Sequence, residues 1–172
     1  MTSTGETEIE PWAVRFHEFY APGSRAEKEF RLSRKLVLVA RRWTAFIDET
    51  VKRETGYSRA QWQTLLTLVI SDGDVATLEL AERLAVSWPS LIRVLDHLEE
   101  KGLVARKRDP KDRRSTIVGV TAEGREVMAR IQGILDPLRA RTLQGLSDDD
   151  LLYAKGLLDR LFDQLVQEAG PD

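Results

Sequence analysis

The run Asp109-Pro110-Lys111-Asp112-Arg113-Arg114-Ser115 constrains this chain most, because it is a charged turn joining two short strand-like runs, 103–108 and 115–120. The nine residues from Arg106 to Arg114 hold six basic and two acidic side chains, a local charge of +4, in a 172-residue protein of net charge −2. Taken alone, such a run reads as a solvated turn. A cationic hairpin tip isolated on an acidic chain points instead to a polyanion, since neutralising phosphates is what rewards concentrating charge in one place.

The residues before the turn strengthen that second reading. Residues 77–84 carry Leu80, Ala81 and Leu84 on one side of a short helix, with Thr77 placed to cap it. Ala85-Val86-Ser87 breaks the pattern. Ser87 is then positioned to cap a second helix, with Pro89 in its first turn, where a missing N–H costs nothing, and Gly102 suited to the left-handed position that ends it. At 100° per residue Leu91, Val94, Leu95 and Leu98 share one face, while Pro89, Arg93 and Asp96 lie opposite, flanked by Ser90 and His97. Thr121 is set to cap the helix that follows the hairpin. Two helices joined by a tight turn, then a β-hairpin with a basic tip, spell a winged helix-turn-helix.

These residues also carry a family likeness. Leu80-Ala81-Glu82-Arg83-Leu84, the run from Pro89 to Val104, Asp109-Pro110-Lys111-Asp112-Arg113-Arg114 and Val120-Thr121-Ala122-Glu123-Gly124 resemble the MarR family of bacterial transcription regulators, and Pro89-Ser90-Leu91-Ile92-Arg93 is most similar to its SlyA branch. Trp43 to Asp48 and Gln61-Trp62 extend the likeness upstream, so that it covers roughly residues 30–166.

Composition is consistent with a single-domain cytoplasmic regulator, nucleoid-associated when bound to DNA. No stretch approaches the ~20 apolar residues a membrane span needs, and residues 1–10 lack the basic start and apolar run of a secretory signal. The absence of cysteine removes disulfides, cysteine-ligated zinc and thiol-based peroxide sensing. Two histidines, His17 and His97, are too few for a histidine-rich metal site, so no metal and no cofactor is expected. Nucleophile-elbow, phosphate-loop, HExxH and CxxC spacings are all missing, which argues against an enzyme.

The fold class expected is mainly α, a winged helix-turn-helix DNA-binding lobe over 57–121 carried by dimerisation helices over 25–56 and 122–172, with an aromatic N-terminal extension over 1–24. The helix over 25–53 places Leu36, Ala40, Trp43, Ile47 and Val51 in one stripe. Two more helices, 122–145 and 148–169, follow, the latter with Leu151, Leu158, Phe162 and Leu165 on one side. Stripes of this kind are usually core, but helices from both ends of a small chain bury them fully only against another copy, and the resemblance implies a two-fold homodimer. Residues 147–172, with seven acidic and two basic side chains, belong on the side away from DNA.

A symmetric dimer would set two recognition helices in successive major grooves about 34 Å apart, on double-stranded DNA with an imperfect palindrome of half-sites ~10 base pairs apart. Arg93 would reach a guanine edge or a phosphate, as its family counterpart contacts DNA. Ser87, Pro89 and Ser90 sit at the helix start, where N–H groups approach phosphates. Trp88 reads as a DNA contact or as packing, and His97 as a flanking phosphate contact or a solvated residue. In the wing, Lys111 adds charge, and the resemblance pairs Asp112, which orients the tip, with Arg114 entering the minor groove; Arg113 could substitute for Arg114. Such an arginine is favoured by narrow A·T-rich grooves.

The resemblance further implies a pocket for a small aromatic acid or phenol, whose binding would release a repressor from DNA. Trp43 and Trp62 match the family's tryptophans, and Arg41 and Arg42 could supply the cation a buried carboxylate needs, although Thr44 stands where some relatives carry a basic residue. The aromatic run from Pro11 to Tyr20 would either fold over that pocket, with His17 as a polar contact, or embrace the partner subunit. Trp43 and Trp62 read more readily as core than as pocket. The rival readings are a constitutive DNA binder and a winged-helix module that binds protein.

Overall fold

The computed structural model describes residues 15–110, 112 and 115–169. The chain divides into two compact units, Met1–Ile47 and Asp48–Asp172.

In the first unit a single turn of helix, α1 (Phe16–Phe19), precedes the long α2 (Arg25–Thr55), whose last residues belong to the second unit. Phe16, Tyr20 and Phe30 bring their rings within 4.9–5.3 Å of one another, centroid to centroid, and the Arg31 guanidinium lies 5.1 Å above Phe16. Glu27 closes this cluster. Its buried carboxylate accepts from Arg31 at 2.7 Å and from the Gly23 amide, and these two bonds hold it below the usual carboxylate range. Of the expected α2 stripe, Ile47 and Val51 are buried, Leu36 and Trp43 half-buried and Ala40 exposed.

The second unit holds α3 (Arg59–Ile70), β1 (Val75–Ala76), α4 (Thr77–Arg83), α5 (Trp88–Glu100), β2 (Val104–Arg108), β3 (Thr116–Val120), α6 (Ala122–Leu143) and α7 (Asp148–Ala169). The strands form one antiparallel sheet in the order β1-β3-β2, with Arg106 opposite Val118 and Val75 opposite the same residue on the other side. Leu65, Leu68, Leu80, Leu91, Leu95, Leu98, Val118, Met128, Ile131 and Leu135 make the core that α3, α4, α5, the sheet and α6 share. The alternation expected for α5 holds, with Leu91, Leu95 and Leu98 buried and Pro89, Ser90, Arg93 and His97 exposed.

Two caps differ from expectation. Thr77 is the first residue of α4 and Ala76 occupies the cap position, because Val75 and Ala76 are committed to the sheet through Val118 and Ile117 and the chain turns into the helix directly from the strand. Ser87 does hold the cap position of α5, yet its hydroxyl meets that of Ser90 at 2.8 Å rather than a backbone amide. Pro89 has no N–H to offer at the second helical position, and the Ser90 hydroxyl competes for the third. Elsewhere the punctuation works as anticipated. Gly102 adopts φ +70°, and the Leu103 amide donates to Leu98 O at 2.9 Å to close α5. Thr121 caps α6 by accepting from the Gly124 amide at 3.0 Å.

The α7 stripe behaves differently from core. Leu151, Leu158, Phe162 and Leu165 are all exposed, as are Leu152, Tyr153, Leu157, Leu161 and Val166, with Leu152 at 69% and Phe162 at 65%. Among the described residues no helix is long and apolar enough to cross a membrane.

Candidate nucleic-acid interface

The tight turn between α4 and α5 is set by Ala85, which takes a left-handed φ of 51°. Amides of Leu84, Ala85 and Val86 donate to Leu80, Glu82 and Ala81 carbonyls at 2.9–3.1 Å, so α4 ends and the chain reverses within four residues. This reversal presents the first turn of α5 outward. Ser87, Trp88, Pro89 and Ser90 are exposed there, Trp88 at 51%, and Arg93 follows one turn on. Among the described residues the Arg93 guanidinium makes no ion pair. The structure thus gives Trp88 a solvent-facing position rather than one in the core.

His97 lies on the same side, and its Nδ1 is 2.8 Å from the Arg93 carbonyl oxygen. As the carbonyl can only accept, Nδ1 carries the proton, and Nε2 is left as the outward nitrogen. An uncharged ring would therefore offer a phosphate no donor at that position; contact requires the imidazolium.

The hairpin tip is closed by two backbone bonds, from the Asp109 amide to Ser115 O at 3.0 Å and from the Ser115 amide to Asp112 O at 2.9 Å. Asp112 is exposed at the tip. Lys111, Arg113 and Arg114 lie outside the described residues.

Below the tip the charge count changes meaning. Lys107 Nζ is 2.6 Å from Asp74 Oδ2, in the loop before β1. Arg106 points to α5, where Nη2 donates to Asp96 Oδ1 and Glu99 Oε2 at 2.6 Å each. Hydrogen bonds from the Arg106 guanidinium and backbone amide hold the Glu99 carboxyl below its usual range, while Glu99 and then Asp96 raise the guanidinium still further. Two of the six cations in the run are thus spent on internal pairs. Sequence reasoning placed Asp96 on the outward face and did not foresee these bonds, because Glu99 and Arg106 are seven residues apart across a helix end and a strand start, where no simple period applies.

The residues expected around a ligand are distributed over both units. Arg41 and Arg42 are exposed on α2 and Trp43 is half-buried beside them. His17 is exposed on α1, edge-on to Phe16 at 5.7 Å, and Phe16 packs on Phe30. Eleven residues of helix at 1.5 Å each put Arg41 about 16 Å along α2 from Phe30, so His17 and the Arg41-Arg42-Trp43 group are not brought together. Trp62, in the second unit, is buried on α3, and among the described residues its indole N–H has no acceptor. A small apolar cleft of about 70 Å³ opens between α3, the α4–α5 turn and α5, lined by Thr64, Leu84, Val86, Ser90, Leu91 and Val94 among others, and it includes none of these five residues.

A helix-turn-helix whose second helix turns a polar face outward, followed directly by a β-hairpin, defines a winged helix-turn-helix protein. The sequence pattern of the MarR family matches residues 55–115. The solved structure of the transcriptional regulator PA3341 is 30% identical, the match covering 78% of this chain and 97% of that one at a TM-score of 0.70. The transcriptional regulator BldR from Sulfolobus solfataricus is 25% identical over 80% of this chain and 99% of its own, with a TM-score of 0.69. A mutant of MarR from E. coli, solved in complex with operator DNA, shares the fold at 22% identity, covering 80% and 98% of the two chains with a TM-score of 0.68. The chain belongs to the MarR family, a family of transcriptional regulators rather than enzymes.

Proposed function

We propose that this protein is a homodimeric, sequence-specific DNA-binding repressor of the SlyA-like branch, acting in the bacterial cytoplasm and relieved by a small aromatic acid or phenol. The observation that carries the DNA reading is the exposed Arg93, without an ion pair among the described residues, beside Ser87, Trp88, Pro89 and Ser90 on the outward first turns of α5, in the same compact unit as a cationic hairpin. Arg93 would take a guanine edge or a phosphate, Trp88 a thymine methyl or sugar, and Arg113 or Arg114 the flanking minor groove, with Lys111 on the backbone and Asp112 orienting the tip.

The dimer reading draws on α7. A helix with nine large apolar side chains exposed, Leu152 and Phe162 among the most exposed, is not stable in water without a partner surface. In the proposed assembly α2, α6 and α7 meet their counterparts across a two-fold axis, and the acidic α7 lies away from the duplex.

The ligand reading draws on the exposed cations Arg41 and Arg42 beside the half-buried Trp43, which would pair with a carboxylate. Tenfold release requires the ligand to favour the non-binding conformation by about 1.4 kcal/mol, within reach of one charge-assisted contact made in a single state.

A gel shift on the DNA upstream of the chain's own gene, titrated with benzoates, hydroxycinnamates and salicylate, tests both parts. Retarded DNA that survives excess nonspecific competitor supports the regulator, and its absence favours a protein-binding winged helix. Release at millimolar ligand supports the sensor; no release and no shift in melting temperature make the protein a constitutive binder.

A further inference from the structure

Arg106 stands in the middle of β2, the edge strand of the sheet, and is only 23% exposed although it belongs to the most cationic run of the chain. Its backbone amide donates to Glu99 Oε1 at 2.9 Å, so the carboxylate of a helical residue satisfies a donor on the sheet edge. Nε and Nη2 donate to Glu99 Oε2 at 2.9 and 2.6 Å, and Nη2 donates to Asp96 Oδ1 at 2.6 Å. One residue of the wing therefore makes four hydrogen bonds to two carboxylates on α5. Asp96 and Glu99 are half-exposed, on the part of α5 that follows Arg93.

Building on the DNA-binding reading above, we infer that Arg106, Glu99 and Asp96 lock the wing to the recognition helix, making Arg106 a positioning residue for operator recognition rather than a phosphate contact. Two consequences follow from the geometry. The lock fixes the angle between the element that enters the major groove and the hairpin that reaches the flanking minor groove, so both are seated by one docking event without reordering the wing. It also neutralises two carboxylates that would otherwise face the phosphates from α5 itself. Releasing Arg106 toward DNA would uncover both, so the pairing is the better use of the charge. Lysine cannot replace it, because an ammonium is a point donor and lacks the planar fork that serves Glu99 through Nε and Nη2 together.

The opposite view, in which Arg106 is one more cation for the backbone, gives different outcomes. The test is operator affinity by fluorescence anisotropy across a salt series, with hydroxyl-radical footprints of the same complexes, for Arg106→Lys, Glu99→Gln and Asp96→Asn in the full-length protein. Under the lock all three bind more weakly, Arg106→Lys and Glu99→Gln by roughly tenfold, the range of a single specific contact. The salt slope should change by less than one, and protection should fade in the flanking minor grooves while the central major-groove pattern persists. Under the phosphate view Glu99→Gln and Asp96→Asn bind more tightly because repulsion falls, and Arg106→Lys keeps wild-type affinity. Either result overturns the proposal, as does weakening with an unaltered footprint. Asp96→Asn takes the charge from only one of the four bonds, leaving a neutral acceptor, and still decides between the two views if Arg106→Lys melts below the assay temperature. Failure of the wild type to bind any operator would refute the DNA reading itself, whereas wild-type binding with unaffected variants refutes the lock alone.

Discussion

Gly124→Ala places a methyl group where the chain has no room for one. The added carbon would sit 2.7 Å from Val120 Cγ2 and 3.0 Å from the Leu103 carbonyl carbon, closer still to its oxygen, against about 3.5–4.0 Å for an unstrained carbon contact. The nearest atom it meets belongs to the Leu103 backbone, which cannot swing aside as the far end of a flexible side chain can. The same carbonyl accepts from the Thr121 amide at 3.0 Å, and Thr121 Oγ1 both donates to Gly102 O at 2.7 Å and accepts from the Gly124 amide. Relieving the clash therefore moves the end of α5, the root of the wing and the cap of α6 together. Overpacking of this kind costs about 1–3 kcal/mol and a weakened cap about 1 kcal/mol, while alanine regains up to about 1 kcal/mol of helix preference over glycine. The expected net loss is about 2 kcal/mol, or a melting temperature lower by roughly 4–8 °C for a chain of this size. Urea unfolding at one fixed protein concentration measures it, with Gly133→Ala as the internal control. Gly133 lies in the same helix with nothing within 4 Å of an added Cβ, and its replacement should stabilise by roughly 0.5–1 kcal/mol. If the two variants moved in the same direction, the close approach at Leu103 would not be what requires glycine at 124.

Arg93→Ala and Arg114→Ala should each cost ~1–3 kcal/mol of operator affinity at physiological salt and leave dimer mass and melting unchanged; wild-type affinity in both would displace the assigned reading face. Asp112→Ala should weaken binding although it removes a negative charge, because the tip arginine would lose its preset geometry, and tighter binding in anisotropy would contradict that. Leu158→Asp combined with Phe162→Asp should lower the mass by sedimentation from two chains to one or leave the protein insoluble, whereas an intact soluble dimer would exclude this face of α7 from the interface. Glu99 has a folded-state pKa below its unfolded value, so its contribution is full above the ordinary carboxylate range near 4.3 and is lost as pH falls through the lowered value. Glu99→Gln should therefore flatten the acid limb of a stability profile below about pH 4, and an unchanged limb would mean the pair contributes nothing to the fold.

The DNA-binding lobe was readable because its signals are local. Pro89, Gly102 and Thr121 mark helix starts and stops by steric rules that tertiary contacts rarely override, and the spacing of Leu91, Leu95 and Leu98 fixes which face of α5 is buried. The helix α3 was overlooked even though Ser58 and Gln61 form a reciprocal cap, with the Gln61 amide donating to the Ser58 hydroxyl and the Ser58 amide to the Gln61 side chain. That spacing is a start signal in its own right. The strand β1 has two residues and no period to detect; it exists because Val118 offers Val75 a pairing edge. The Thr77 cap shifted by one residue for the same reason. The role of Arg106 is a property of how a helix and a hairpin pack, and in the sequence it was one more positive charge.

The bare face of α7 bears on how much of this protein a cell must hold. An α7 that leaves nine large apolar side chains in water is adhesive until something covers it, and under the proposed dimer the cover is a second copy, which would make maturation a second-order process whose speed depends on copy number. Were the chain to bind DNA as the proposed homodimer, occupancy of the operator at low abundance would rise with the square of the chain concentration rather than in proportion to it. Halving synthesis would then quarter the active species, giving the regulated genes a sharper response to dosage than any single binding site supplies.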